Sequence, residues 1–142
     1  MPRGKRLNRI ISAPVPKPWE RKPMWFAGST PEWAIYWAFL KLGYIEGVTF
    51  FYQSPFAGGR MFAGGGVLDF WVPDIMIGIR VQGTYFHYGK GADTIAYDRL
   101  QKIQLEQLGN TVIDIDEEPA MENPIGILRD ALQGVDKSRG RK

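Results

Sequence analysis

Asp69 lies in the run Val67-Leu68-Asp69-Phe70-Trp71, a carboxylate flanked by apolar residues where a strand would cross the interior. An ionised carboxylate buried without compensation is costly, so a metal ion or a cationic neighbour is expected beside it. The next apolar segment closes on Ile79-Arg80-Val81-Gln82-Gly83 and leads into Thr84-Tyr85-Phe86-His87-Tyr88. A hairpin through Pro73-Asp74 would bring Asp69 and residues 80–82 side by side, where oxygen ligands for a divalent cation could gather. His87, the sole histidine, follows that strand. Its imidazole could exchange a proton with water or a leaving group, or simply be a hydrogen-bonded packing residue among its aromatic neighbours. Three readings of Asp69 stand together: a metal ligand, half of a structural ion pair with Arg80, or a solvent-facing strand end. Asp114, Asp116, Glu117 and Glu118 read as a strand end and a solvated turn rather than a metal cluster.

The elements that must position these groups alternate in kind. Ser29-Thr30-Pro31 reads as an N-cap followed by a first-turn proline, which predicts a helix over about 31–42 with Trp33, Tyr36, Trp37 and Leu40 on its buried face and Gly43 as its stop. Strands are expected over 48–53, 67–72 and 75–82, the first two joined by a hairpin loop holding five glycines between Gly58 and Gly66. Residues 92–108 read as a helix with Ile95, Leu100, Ile103, Leu105 and Leu108 apolar, followed by a strand at 111–116 and a last helix over 124–132. The order α-β-β-β-α-β-α implies a central mixed β-sheet flanked by helices, since an apolar run such as 75–81 needs cover on both faces.

The 142 residues, 44% apolar, suit a single α/β domain, and without cysteine neither a disulfide nor a thiolate zinc site can form. No apolar run approaches the roughly 20 residues of a membrane span, and the basic start lacks a secretory h-region. The expectation is a cytoplasmic protein, or a virion-associated one if phage-encoded. Charge is unevenly spread. Residues 1–22 carry seven Lys and Arg against Glu20, residues 136–142 carry four against Asp136, and the stretch between holds seven basic against thirteen acidic residues. The body is thus −6 and the two ends together +9. Residues 1–24, with five prolines, read as an extended basic arm; 25–135 as the folded domain; 136–142 as a basic tail. Arg3, Lys5, Arg6, Arg9, Arg139 and Arg141 at the ends, with Arg80 and Lys102 in the body, are the candidate nucleic-acid contacts. Solvated tails, or tails clamped on an acidic protein assembly, are the other readings of the same charges.

Several of these runs resemble one family. Gly83-Thr84-Tyr85-Phe86-His87 resembles the glycine, small residue, two aromatics and histidine of the very short patch repair endonucleases, members of the PD-(D/E)XK nuclease superfamily. Val67-Leu68-Asp69-Phe70 is similar to the strand that carries their metal-binding aspartate. The stretch from Tyr97-Asp98-Arg99-Leu100 to Leu108-Gly109 and Thr111-Val112-Ile113 resembles their aspartate-bearing helix, and Thr30-Pro31-Glu32 the start of their first helix. The resemblance covers roughly 29–133 and implies a restriction-endonuclease-like fold and Mg²⁺-dependent phosphodiester hydrolysis. It implies Asp69 and the Val81 carbonyl as metal ligands, His87 as proton-transfer group, and Glu32 and Asp98 as water-positioning carboxylates. Glu32 has a plainer reading as first-turn charge on a helix.

This sequence departs from that pattern at two positions. Arg80 stands where most of the superfamily places a second acid, and Gln82 where it places lysine and the repair endonucleases place histidine. Glutamine can coordinate through its carbonyl or orient a water but exchanges no proton near neutral pH. Two functions follow: a DNA endonuclease acting on duplex or branched DNA, or a catalytically silent module of the same fold that binds nucleic acid or serves a phage or mobile-element assembly.

Overall fold

The computed structural model describes residues 15–53, 68–83 and 92–139, with 92–98 and 101 followed along the backbone only. Helix α1 (Thr30–Lys41) starts where its capping residues put it: the Ser29 side chain accepts the Glu32 N–H and Pro31 sits in the first turn. Just past it, Gly43 takes a φ of +90°, a conformation that penalises any residue with a Cβ. Strands β1 (Phe51–Tyr52), β2 (Phe70–Val72) and β3 (Ile77–Gln82) pair antiparallel in sequence, and β4 (Thr111–Asp116) lies parallel to β3. The β2–β3 hairpin turns through a 3-10 segment, Pro73–Ile75, as its proline suggests. A parallel pair cannot be closed by a tight turn, and helix α2 (Ala92–Gln107) lies on the crossover from β3 to β4. The chain then enters α3 (Glu117–Glu122) and α4 (Pro124–Leu132), the latter capped by Asn123 on the Gly126 N–H.

Alternation along the strands divides the sheet into two faces. Phe70, Val72, Ile77, Ile79, Ile113 and Ile115 pack against Ile35, Ala38 and Phe39 of α1 and Leu128 and Ala131 of α4. There Phe39 stacks on Phe50 with ring centroids 4.2 Å apart. On the opposite face Leu68, Val112 and Trp71 meet Leu105 of α2. Gly78 in the middle of β3 serves that contact, because a Cβ there would run into the Leu68 side chain.

The expected mixed sheet flanked by helices is present, with one helix more than the sequence suggested: Glu117 and Glu118 open α3 rather than a solvated turn. β1 is shorter than expected because residues 45–50 form turns, in which the Ile45 carbonyl accepts the Val48, Thr49 and Phe50 N–H groups. The buried face of α1 is rotated from the expected one. Trp33, Ala34, Ile35, Ala38 and Phe39 are buried, whereas Leu40 is 44% exposed, because the helix packs against the sheet together with α3 and α4. Of the expected apolar positions, Leu105 on α2 is buried, Leu100 and Ile103 on α2 and Leu108 just past it are exposed, and the Ile95 side chain lies outside the described residues.

Both boundaries of the folded body also move outward. Trp19, in a 3-10 turn at Pro18–Glu20, donates its indole N–H to the Met121 carbonyl at 2.6 Å and lies against Trp37, so packing begins ahead of residue 25. Beyond 135, Asp136 and Ser138 are buried, and residues 136–139 belong to the folded body rather than to a tail. Residues 1–14, 140–142 and the glycine-rich connection at 54–67 lie outside the described residues.

Candidate functional site

Asp69 stands immediately before β2, where its carbonyl accepts the Gln53 N–H on one side. Its side chain reaches the other way: Oδ2 accepts the Val81 N–H at 2.7 Å. The N–H and C=O of one strand residue face the same side, so the Val81 carbonyl is turned toward the same strip of backbone as the Asp69 carboxylate. Burial, with the negative charge of Glu32 next in weight, pushes the Asp69 carboxyl up to about 7, against the pull of the Val81 hydrogen bond and the Arg80 charge.

Glu32 comes to this place from the first turn of α1. Tyr52 on β1 donates its O–H to Glu32 Oε1 at 2.7 Å, and burial together with that bond holds the Tyr52 phenol well above its usual range. Gly28 makes room for the contact, because a Cβ there would overlap both the Tyr52 hydroxyl and the Glu32 carboxylate. Phe26 stacks on Tyr52 from the side, with ring centroids 4.8 Å apart. The Glu32 carboxylate is therefore fixed by a partner outside its helix and acts electrostatically on Asp69, which is more than complementing a helix dipole.

Arg80 does not pair with Asp69. Its Nε meets Asp114 Oδ1 at 2.9 Å and its Nη2 meets Asp114 Oδ2 at 3.3 Å, with both side chains buried. Register explains the choice: Arg80 and Asp114 are direct partners across the parallel β3–β4 pair, and a planar fork satisfies both carboxylate oxygens at once. Around them a polar layer spreads over the α2 face of the sheet. Gln82 Nε2 lies 3.5 Å from Asp114 Oδ1, and Lys102 Nζ lies 3.7 Å from Asp114 and 3.9 Å from Asp136. Asp136 accepts the Asp114 N–H on Oδ2 and both the N–H and hydroxyl of Ser138 on Oδ1. Arg139 donates its N–H to Asp116 Oδ2, with its guanidinium near Asp116 and Glu118.

The structure thus brings Asp69, Glu32 and the Val81 backbone together, and it sets Gln82 toward Asp114. Arg80, 7% exposed, has its guanidinium on the buried Asp114. Lys102 is turned toward Asp114 and Asp136, and Arg139 leans on Asp116 while keeping more than half of its side chain exposed. His87, Arg3, Lys5, Arg6, Arg9 and Arg141 lie outside the described residues, and Asp98 is placed on α2 by its backbone alone. Asp114, Asp136 and Tyr52 are the participants that sequence reasoning missed. For Asp114 a signal existed, since Val112-Ile113-Asp114-Ile115 embeds a carboxylate among apolar residues as the Asp69 run does.

Among the described residues no three His, Cys, Asp or Glu side chains gather as a metal-binding group. The groups here that could hold a divalent cation are the part-buried Asp69 carboxylate and the Val81 carbonyl, and an ion such as Mg²⁺ is often held by one or two carboxylates and keeps several waters. A carboxyl whose ionised form is opposed by burial and by a neighbouring acid is also one that a divalent cation would favour. Among the described residues no helix is long and apolar enough to cross a membrane. Comparison with protein-family models, with curated proteins and with solved structures finds no match.

Proposed function

We propose that this chain is a PD-(D/E)XK-type nuclease domain, resembling the very short patch repair endonucleases, that hydrolyses phosphodiester bonds in duplex or branched DNA with Mg²⁺ at Asp69. The observation that carries this reading is the approach of the Asp69 carboxylate to the Val81 backbone at the junction of β2 and β3. The sheet supports it too, with an antiparallel β1-β2-β3 run continued by a parallel strand.

In this reading Asp69 and the Val81 carbonyl would hold Mg²⁺, which would supply Lewis-acid stabilisation to a phosphodiester bound there. The Val81 N–H fixes the orientation of the Asp69 carboxylate, leaving its other oxygen for the cation. Glu32, steadied by the Tyr52 hydroxyl, positions water on the α1 side. His87, five residues beyond Gln82 in sequence, supplies proton transfer, and the basic ends of the chain track the phosphates.

A second reading is favoured by one observation. Where the superfamily places its second acid this chain has a guanidinium neutralised by Asp114, as it would in a domain of this fold that binds nucleic acid through its basic ends, or serves an assembly, without cutting. Incubating the full chain with supercoiled and branched DNA and Mg²⁺ or Mn²⁺ separates the two. Metal-dependent nicking that disappears in Asp69→Ala is the expected result. Metal-independent binding with no nicking would replace the endonuclease by the silent module.

A further inference from the structure

A phosphodiester brought to Asp69 and Glu32 meets two carboxylates, and a polyanion needs a cation there with capacity to spare. The cations nearest the polar layer are engaged by acids: Arg80 by Asp114, Lys102 by Asp114 and Asp136, Arg139 by Asp116 and Glu118. Lys22 is different. It stands in the turn that leads into α1, where the Phe26 N–H meets the Pro23 carbonyl at 3.2 Å and the buried Phe26 ring stacks on Tyr52. Its exposed ammonium donates to the Gly28 carbonyl at 3.0 Å, and among the described residues no carboxylate pairs with it. One neutral carbonyl uses only one donor of an ammonium, so the others remain for a further acceptor.

Gly28 fixes where this charge sits. Its α-carbon is so close to the Glu32 carboxylate and the Tyr52 hydroxyl that a Cβ would overlap both, while its carbonyl holds Lys22. Lys22 and Glu32 therefore meet the same glycine, the one through its carbonyl and the other across its α-carbon. Each has its own partner, Gly28 for the ammonium and Tyr52 for the carboxylate, so neither neutralises the other. Glu32 in turn bears on Asp69. We propose that Lys22 is a phosphate-binding residue of the candidate site, which takes a backbone phosphate on the α1 side and holds that strand beside Glu32 and Asp69. The assignment rests on the nuclease reading above. A contact of this kind positions the strand and adds affinity without sequence preference.

Fluorescence anisotropy of the full chain with a labelled branched DNA, in the absence of divalent metal, gives the salt dependence of binding. Lys22→Gln keeps a hydrogen-bond donor for Gly28 and loses the charge, so the slope of log Kd against log salt should shrink by about one, whereas Lys22→Arg should keep the parent slope. An unchanged slope in Lys22→Gln overturns the proposal. Nicking with Mg²⁺ then locates the contact. Replacing one phosphate beside the cut by an uncharged methylphosphonate should raise KM of the parent about threefold with kcat little changed, and should have no further effect in Lys22→Gln. Independent effects at every substituted phosphate would put Lys22 away from the site and overturn the assignment. A parent that binds but never nicks removes the endonuclease and leaves the slope to decide Lys22, and a parent that nicks with a slope indifferent to Lys22 removes Lys22 alone. A parent that binds no DNA overturns both.

Discussion

On the α1 side of the sheet, Phe39, Phe50 and Phe70 fill the space between strands and helices with stacked and tilted rings, and Val72, Ile77, Ile79, Ile113 and Ile115 of the sheet join them in one apolar core. On the α2 side the same two strands place Arg80 opposite Asp114 and Gln82 opposite Asp116 under partial cover from Lys102 and the 136–139 segment. Shape complementarity holds the first face, and removal of atoms there leaves a void. Hydrogen-bond saturation holds the second, where removal of one partner strands a charge. Asp69 sits at the end of β2 between the two regimes, close enough to Glu32 from one side and to Arg80 and Asp114 from the other to be influenced by both. A group in that position is tunable because no single partner determines its charge.

The sharpest way to break this contrast is to cut into each face separately and compare urea unfolding. Phe39→Ala should cost about 4 kcal/mol, from lost transfer energy plus the cavity left behind its stacked partner. Arg80→Met should cost about 3 kcal/mol by leaving Asp114 buried without its guanidinium, whereas Arg80→Met combined with Asp114→Leu should return to within about 1 kcal/mol of the parent. Failure of the double variant to recover would mean that the pair is held by packing and not by charge balance.

Asp69 gives a shallower, pH-dependent signature. Its carboxyl is raised in the folded chain to about 7 from the ordinary 3.8, so the folded state keeps a proton that the unfolded state has already released across that window. Stability should therefore fall as pH rises from about 4 to about 7 and level off above it, because the folded state there binds more protons than the unfolded one. Unfolding curves of Asp69→Asn should lack this fall, and saturating Mg²⁺ should reduce it in the parent alone. The smallest expected effect is at the margin of the polar layer. Asp136→Ala removes the acceptor of the buried Asp114 N–H and should cost about 1–2 kcal/mol, read in the same urea titration.

Much of the scaffold was legible from local signals. Ser29 with Pro31 and the Pro73-Asp74 turn each fix a boundary through chemistry that acts within three or four residues. The helix faces were less legible. Leu40 and Ile103 are as apolar as Ile35 and Leu105, and only the packing of whole elements decides which of two apolar lines turns inward. The site shows the same limit: the burial of Asp69 could be read from its apolar neighbours, but its partner could not. Arg80 lies 11 residues from Asp69 and 34 from Asp114, and sequence proximity favoured the wrong one.

By itself the sequence determined the kind and order of every element but α3, and the presence of Asp69 among apolar residues, because periodicity, caps and turns are properties of short stretches of chain. Tertiary structure alone decided the register of β4 beside β3, and with it the Arg80–Asp114 pair, the release of Asp69 to the Val81 backbone and the recruitment of Asp136 into the fold. Each of these depends on which groups are brought within about 3 Å, and hydrogen bonds and charge pairs are selected by that distance and not by separation along the chain.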